Sequence, residues 1–163
     1  MLQIVPVFEV LALLALANVS PIAAKRIMGD RLSRPLDGGI RLFDGQPLFG
    51  ASKTIRGLVV ALAMTALGAV LLGEPWTLGL AIGAASMAGD LASSFIKRRL
   101  GLPPSARATG LDQIPEALLP ALAAMPLLGL TWPDVALTVV LFWLGGVVLS
   151  KWLFRLGFRD EPH

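Results

Sequence analysis

The sequence predicts an all-α integral membrane protein that crosses the bilayer with five transmembrane helices. Of its 163 residues, 55% are apolar and only 15% are charged, whereas a soluble domain carries roughly 25% charged residues. Five long apolar runs each approach the roughly 20 residues that a helix needs to cross the hydrocarbon core. These runs and their connections use up the chain, so residues 1–163 are predicted to form one transmembrane domain without a separate aqueous domain.

The five predicted spans differ in polarity. The first has neither the basic start nor the cleavage site of a signal peptide, so it is predicted to be a retained helix. The second has no charge, and the third carries the carboxylate Asp90 in its second half. The fourth contains three prolines, which membrane helices tolerate when neighbours satisfy the freed backbone groups. In chain order the spans are residues 2–24, 57–73, 76–96, 114–131 and 134–153.

The placement of basic residues predicts the orientation of the chain. All 14 Lys and Arg residues lie in three segments, residues 25–56, 97–115 and 151–163. Alternation of five crossings puts these segments on one side, which the positive-inside rule assigns to the cytoplasm. The N-terminus is therefore expected outside and the C-terminus in the cytoplasm. The predicted cytoplasmic loops are residues 25–56 and 97–113, and the length of the first favours a functional role.

The composition excludes several kinds of site. The chain has no cysteine, so disulfides and thiolate metal sites are absent, and its one histidine is the last residue, His163. Ser-His-Asp catalysis is therefore excluded. The net charge of +3 and the pI near 10 are explained by attraction to anionic lipid. The lipid bilayer is thus the expected partner, and nucleic acid is not.

Asp90 is the residue of greatest chemical interest, because a carboxylate within a membrane helix costs about 2.5–3.5 kcal/mol unless a cation or a water-filled cavity compensates. Steps of three and four residues place it on one helix face with Ser86, Ser93, Ser94 and Lys97. This polar stripe predicts a hydrated cavity that opens at the basic end of the third helix. The alternative is a packing seam in which Asp90 pairs with Lys97 of its own helix.

Asp112 provides a second carboxylate at the start of the fourth helix. It could cap that helix or face Asp90 across the cytoplasmic end of the bundle. Two carboxylates from different helices, with no histidine or cysteine available, form an all-oxygen set that suits Mg²⁺. Glu116, one turn after Asp112, is a further metal ligand or a supporting group.

Four cations near these acids suit phosphate: Lys53 and Arg56 at the start of the second helix, and Lys97 and Arg98 at the end of the third. The N-terminus of a helix also favours an anion. Carboxylates that hold a metal beside these cations, at a membrane surface, predict phosphate chemistry on a lipid headgroup.

Several ordered blocks between residues 17 and 116 are similar to those of a known family. They are Asn-x-x-Pro at 18–21, Pro-Leu-Asp-Gly-Gly at 35–39, Asp-Gly at 44–45, Lys-Thr-Ile-Arg-Gly at 53–57, Gly-Asp…Ser…Lys-Arg at 89–98 and Leu-Asp-Gln at 111–113. In this order and spacing they resemble the CDP-archaeol synthase family. The larger phosphatidate cytidylyltransferases share the last two blocks, but a five-helix length suits the synthases better.

The resemblance implies a reaction in which CTP and a phosphorylated lipid alcohol give a CDP-lipid and pyrophosphate, with Mg²⁺, on the cytoplasmic face of the cell membrane. It implies that Asp90 and Asp112 hold the metal. The remaining roles that it implies are phosphate contacts for Lys53, Arg56, Lys97 and Arg98, hydrogen bonds from Thr54, Ser93 and Ser94, and positions near the nucleotide or headgroup for Asn18, Asp37, Asp44 and Gln113.

One departure from the family pattern concerns the metal ligands. After the Leu-Asp-Gln block the family usually carries a second Asp, where this chain has Pro115 and Glu116. Either Glu116 substitutes from a shifted position, or the metal site has one ligand fewer.

Two other functions compete with this interpretation. A CDP-alcohol phosphotransferase would use a CDP-lipid, but only residues 37–41 faintly resemble its opening motif and its later paired Asp residues are missing. A small transporter or scaffold with a polar seam predicts a binding site near mid-membrane. The residues are compatible with isoprenyl-ether and with diacyl tails, because apolar grooves distinguish chains poorly, and with a homo-oligomer.

Overall fold

A computed structural model of the chain describes residues 2–103 and 110–155, with side chains up to residue 146. Within these residues the fold is all-helical, as predicted, and it has five helices. Residues 104–109 of the second predicted loop and most of the C-terminal basic segment lie outside the described residues. The helices are α1 (Ile4–Met28), α2 (Ile55–Leu71), α3 (Trp76–Arg99), α4 (Gln113–Leu128) and α5 (Trp132–Arg155).

The helix ends differ from the predicted spans by up to four residues, and three differences of two or more residues lie at the predicted cytoplasmic loops. α1 continues past residue 24 to Met28, α3 continues past residue 96 to Arg99, and α2 begins two residues early, at Ile55. The two extensions carry basic residues in their last turns, where positive charge interacts favourably with the helix dipole. The observed loops are therefore shorter than the predicted ones, because some of the basic residues that were used to define the loops belong to helices.

The helices pack around α1 and α3. α1 contacts all four other helices, and α3 lies between α2 and α4. The core is apolar and includes Val7, Val10, Leu13, Leu14 and Ile82. Large apolar side chains also cover the outer faces of the helices, where many of them are exposed, as expected of a surface that meets lipid.

Helix length and hydropathy support a membrane crossing more strongly for two of the five helices than for the other three. α1 and α3 are long and apolar enough to cross a membrane by length and composition. α2, α4 and the Trp132–Gly146 part of α5 are shorter apolar helices.

Asp37 organises the connection between α1 and α2. Its Oδ1 accepts a hydrogen bond from the Gly39 amide, and its Oδ2 accepts from the amides of Phe49 and Gly50, all at 3.0 Å. Burial of this carboxyl group would by itself raise its pKa, but the three backbone hydrogen bonds outweigh burial and hold the pKa of Asp37 below its ordinary value of 3.8. The carboxylate therefore acts as the internal anchor of this loop.

Replacing Asp37 by asparagine is expected to lower the free energy of opening the loop by about 1–3 kcal/mol, because an amide nitrogen would face a backbone N–H in place of an acceptor oxygen. Faster hydrogen exchange of the Phe49 and Gly50 amides, against an unchanged Asp30→Asn control, would confirm it. The pKa of Asp37 is lower in the folded state than in the unfolded state. The stabilisation that its carboxylate gives the loop is therefore complete above about pH 4 and is lost as the pH falls through the folded-state pKa. Protection of these amides should fall with acid in the wild type; equal protection in wild type and variant at neutral pH would contradict this role.

Candidate active site

The first ion pair of the site joins the loop to α3. Lys53 Nζ donates to both carboxylate oxygens of Asp90, at 2.5 and 2.6 Å. The loop backbone places Lys53, since its amide donates to the Gly50 carbonyl and its carbonyl accepts from the Leu36 amide. The cation that compensates Asp90 therefore comes from the loop, and the alternative in which Lys97 plays this part within α3 is wrong.

The second ion pair joins α3 to the start of α4. Lys97 Nζ lies 2.7 Å from Asp112 Oδ1. Asp112 makes no side-chain capping hydrogen bond to α4, whereas the Gln113 side chain accepts from the Gly110 amide at 2.7 Å. Gln113 thus fastens the turn that precedes the helix. Asp112 does not cap α4, as one of the two sequence-based alternatives expects, and it pairs with Lys97 of α3.

Glu116 completes the cluster. It is partly buried and interacts electrostatically with both ion pairs, Lys53–Asp90 and Lys97–Asp112. The backbones of α3 and α4 touch here: a Cβ on Gly89 would overlap the Pro115 carbonyl and the Glu116 Cα. Glycine at position 89 thereby allows the approach that brings Asp90 beside Glu116. The result is a cluster of three carboxylates and two ammonium groups, which we name the acid–lysine cluster.

The donor types of the acid–lysine cluster suit a hard divalent cation, because carboxylate oxygens are the ligands that Mg²⁺ prefers. In the arrangement seen here the ammonium groups of Lys53 and Lys97 are paired with the carboxylates of Asp90 and Asp112. Within residues 2–103 and 110–146, no three acidic or histidine side chains stand close enough together to hold a metal. To share one cation, the three acids of the cluster would have to come closer together and give up their lysine partners.

The remaining predicted residues of α3 are buried in the two turns that follow Asp90. Ser93 is buried, and its hydroxyl donates to the Asp90 carbonyl at 2.9 Å, while Ser94 is buried beside it. Arg98 is also buried, donates to the Pro103 carbonyl at 2.7 Å, and interacts electrostatically with Asp112. It adds positive charge behind Asp112.

The other predicted binding residues make contacts that fold the chain. Arg56, expected at a phosphate, is buried and donates to the Gly29 and Arg31 carbonyls at 2.8 and 2.6 Å. The Thr54 hydroxyl caps α2 by accepting from the Gly57 amide, and Asn18 donates to the Leu14 carbonyl of its own helix. Asp37 and Asp44 likewise bind the chain itself, through loop amides and, for Asp44, through Arg99.

Arg99 is the organising residue that the motifs did not indicate. Its guanidinium donates to Asp44 Oδ1 at 3.0 Å and to the carbonyls of Gln46 and Pro47 at 3.2 and 2.7 Å. The same group stacks over the Phe95 ring, 5.2 Å from its centroid. Arg99 therefore fastens the loop to the end of α3, two residues after Lys97. The only sequence signal is the third basic residue of the Lys97–Arg99 run.

Replacing Arg99 by alanine should release the part of the loop around Asp44, because one guanidinium supplies every one of these contacts. We expect faster trypsin cleavage after Arg41 in the variant, partly reversed in Arg99→Lys, which can restore the ion pair but not the planar set of donors. Lys25→Ala, which removes an exposed cation from α1, is the control. Equal cleavage rates in wild type and Arg99→Ala would show that the loop is held by other contacts.

Comparisons with known proteins agree with the motifs. A family model described as CarS-like, CDP-archaeol synthase, matches residues 64–163. The CDP-archaeol synthase of Aeropyrum pernix is 41% identical over 161 residues, covering 90% of this chain and 85% of that protein. The Thermococcus onnurineus synthase is 33% identical over 158 residues, covering 90% and 89%. The match to the Methanopyrus kandleri synthase, 45% identical over 87 residues, spans half of each chain.

A solved structure has the same fold. It belongs to an intramembrane enzyme for archaeal membrane lipids biosynthesis, is 30% identical, and covers 85% of this chain and 90% of its own, with a TM-score of 0.66. The family model, the relatives over nearly their whole length and this structure converge on one assignment. The chain belongs to the CDP-archaeol synthase family, a family of cytidylyltransferase enzymes.

Proposed function

We propose that the protein transfers CMP from CTP to a phosphorylated lipid alcohol and releases pyrophosphate. The observation that carries the proposal is the acid–lysine cluster, in which acids and lysines from the loop, α3 and α4 meet in one place. Membership of a family named for CDP-archaeol synthesis supplies the substrate class.

In this reaction a phosphate oxygen of the lipid attacks the α-phosphorus of CTP. A new P–O bond forms, the bond between the α-phosphorus and the bridging oxygen breaks, and the electron pair leaves with pyrophosphate. Lys53 and Lys97 would exchange their carboxylate partners for phosphate oxygens of the two substrates. These contacts would align the reactants and offset their negative charge. Catalysis is then mainly positioning and electrostatic stabilisation, as in other phosphoryl-type transfers.

Asp90, Asp112 and Glu116 would hold a divalent cation, for which we propose Mg²⁺. When bound, such an ion neutralises charge on the phosphates and orients them. Glu116 then takes the place of the second Asp usual in the family.

We further propose that all five helices cross the membrane, with the N-terminus outside and the C-terminus in the cytoplasm. The confinement of all Lys and Arg residues to the segments at or after the ends of the first, third and fifth predicted spans and the apolar outer faces support this topology. The acid–lysine cluster lies where α3 ends and α4 begins, so the site would open at the cytoplasmic face, where CTP is available. The tails of the lipid would extend between helices; the names of the relatives favour isoprenyl-ether tails.

An assay with purified protein in detergent tests the proposed function. Pyrophosphate release from CTP should require a phosphorylated lipid and Mg²⁺ together, and chelation of the metal should stop it. An isoprenyl-ether glycerol phosphate should be used faster than its diacyl counterpart. Absence of CTP-dependent release with both lipids, in protein that remains folded, would reject the proposal and favour a transporter or scaffold.

A further inference from the structure

The loop between α1 and α2 exposes large apolar side chains that the proposed reaction does not use. Residues 40–48, which we name the loop hairpin, form two backbone hydrogen bonds across a turn, Leu42 N to Gln46 O and Leu48 N to Ile40 O. Phe43 lies at its tip with 97% of its surface exposed, and Ile40 is 58% exposed. A phenylalanine side chain that is wholly exposed to water gains none of the free energy that burial of its apolar surface would provide. What surrounds Phe43 when the protein is in a membrane therefore needs an explanation.

Arg99 fixes where the loop hairpin lies relative to the helices. Its contacts to Asp44, Gln46 and Pro47 hold the turn against the last residue of α3. Beside Arg99, α3 ends in an apolar outer surface, since Leu100 is 65% exposed and Ile96 is also exposed. The loop hairpin is thus held at the end of α3, which in the proposed topology is where this helix leaves the hydrocarbon.

Charge around the loop hairpin complements an anionic leaflet. Residues 25–56 contain seven basic and three acidic residues. Arg31, Arg34 and Arg41 are exposed. Two of the acids are engaged by the chain itself, the buried Asp37 by loop amides and the exposed Asp44 by Arg99. An exposed aromatic side chain flanked by basic residues is the composition of segments that lie in the headgroup region.

We propose that the loop hairpin docks on the inner leaflet of the membrane, with Phe43 inserted at the boundary between headgroups and acyl chains. The loop that carries Lys53 is then held from two sides, by Arg99 on α3 and by the bilayer. The inference rests on the proposed topology but not on the proposed reaction.

The chain has no cysteine, which allows a direct measurement of depth. A Phe43→Cys variant, labelled with an environment-sensitive fluorophore, is reconstituted in vesicles of phosphatidylcholine and phosphatidylglycerol. The matched control is Asp30→Cys, at an exposed polar position of the same loop. Because an interfacial side chain lies about 5–10 Å into the boundary, the label at position 43 should emit at shorter wavelength and be quenched about twofold more by lipids with a shallow nitroxide.

A label at position 43 that iodide quenches as strongly as the label at position 30, and that nitroxide lipids do not quench, overturns the proposal. Quenching between labels on two copies of the chain, without quenching by lipid, also overturns it in favour of a protein contact. Ile40→Cys repeats the measurement if the first variant does not fold. Lipid quenching is independent of CTP transfer, so docking without activity would reject the proposed function alone, and activity without docking would reject this inference alone.

Discussion

Replacing Asp90 by asparagine is expected to lower CMP transfer by about 10²–10³-fold or more, the loss that follows when one group that organises charge in a transition state is removed. Asparagine keeps the shape of the side chain but cannot supply an ionised ligand or pair with Lys53, which donates to both oxygens of Asp90. The same loss is expected for Asp112→Asn, because Asp112 supplies the carboxylate from the start of α4. The measurement is the initial rate of pyrophosphate release under saturating Mg²⁺.

The control for these variants is Asp30→Asn, which removes the same charge from an exposed position of the loop and should keep wild-type activity. All three variants should remain folded, since the asparagine substitutions create neither a cavity nor an overlap, although Asp90→Asn and Asp112→Asn each remove an ion pair. Substantial activity in both Asp90→Asn and Asp112→Asn would remove these carboxylates from the reaction.

Replacing Gly89 by alanine should damage both the fold and the activity. Alanine ordinarily stabilises a helix by about 1 kcal/mol relative to glycine. At position 89, however, the added Cβ would overlap the Pro115 carbonyl and the Glu116 Cα. Backbone atoms cannot move aside as the end of a flexible side chain can, so α3 and α4 must separate at a cost of about 1–3 kcal/mol. Asp90 would move with α3, away from Asp112 and Glu116.

The matched control is Gly145→Ala in α5, where a Cβ meets nothing within 4 Å. We expect Gly89→Ala to lower the unfolding midpoint and nearly abolish CMP transfer, and Gly145→Ala to leave both at or above wild-type values. If the two variants behave alike, close contact between α3 and α4 is not what assembles the cluster.

The helices were predictable because long apolar runs have few other structures open to them in a membrane. Their inner ends were not, since the basic residues that mark a loop also favour the last turn of a helix. Lys25 and Lys97 illustrate this, because charge places them in loops while the structure places them in α1 and α3. The number of crossings and their orientation remain predictions.

The residues of the acid–lysine cluster were predictable by type, whereas their pairing was not. A carboxylate in an apolar run needs compensation, so Asp90 was identifiable from the sequence alone. Its partner depends on the path of a loop and on how α3 and α4 are rotated, which residue spacing does not specify. The same limit explains why Arg56 and Asp44 were expected at the substrates, although their visible contacts are with the chain itself. Arg99 was missed because nothing in the sequence indicates that the loop returns to α3.

We propose above that acids from α3 and α4 hold one divalent cation together. Electron paramagnetic resonance of Mn²⁺ in the presence of CTP tests it most directly, by comparing the wild type with Asp90→Asn and Asp112→Asn. The prediction is that each variant binds the ion at least about tenfold more weakly than the wild type, since even groups that only orient a ligand contribute that much. Wild-type Mn²⁺ affinity in both variants would contradict a shared site.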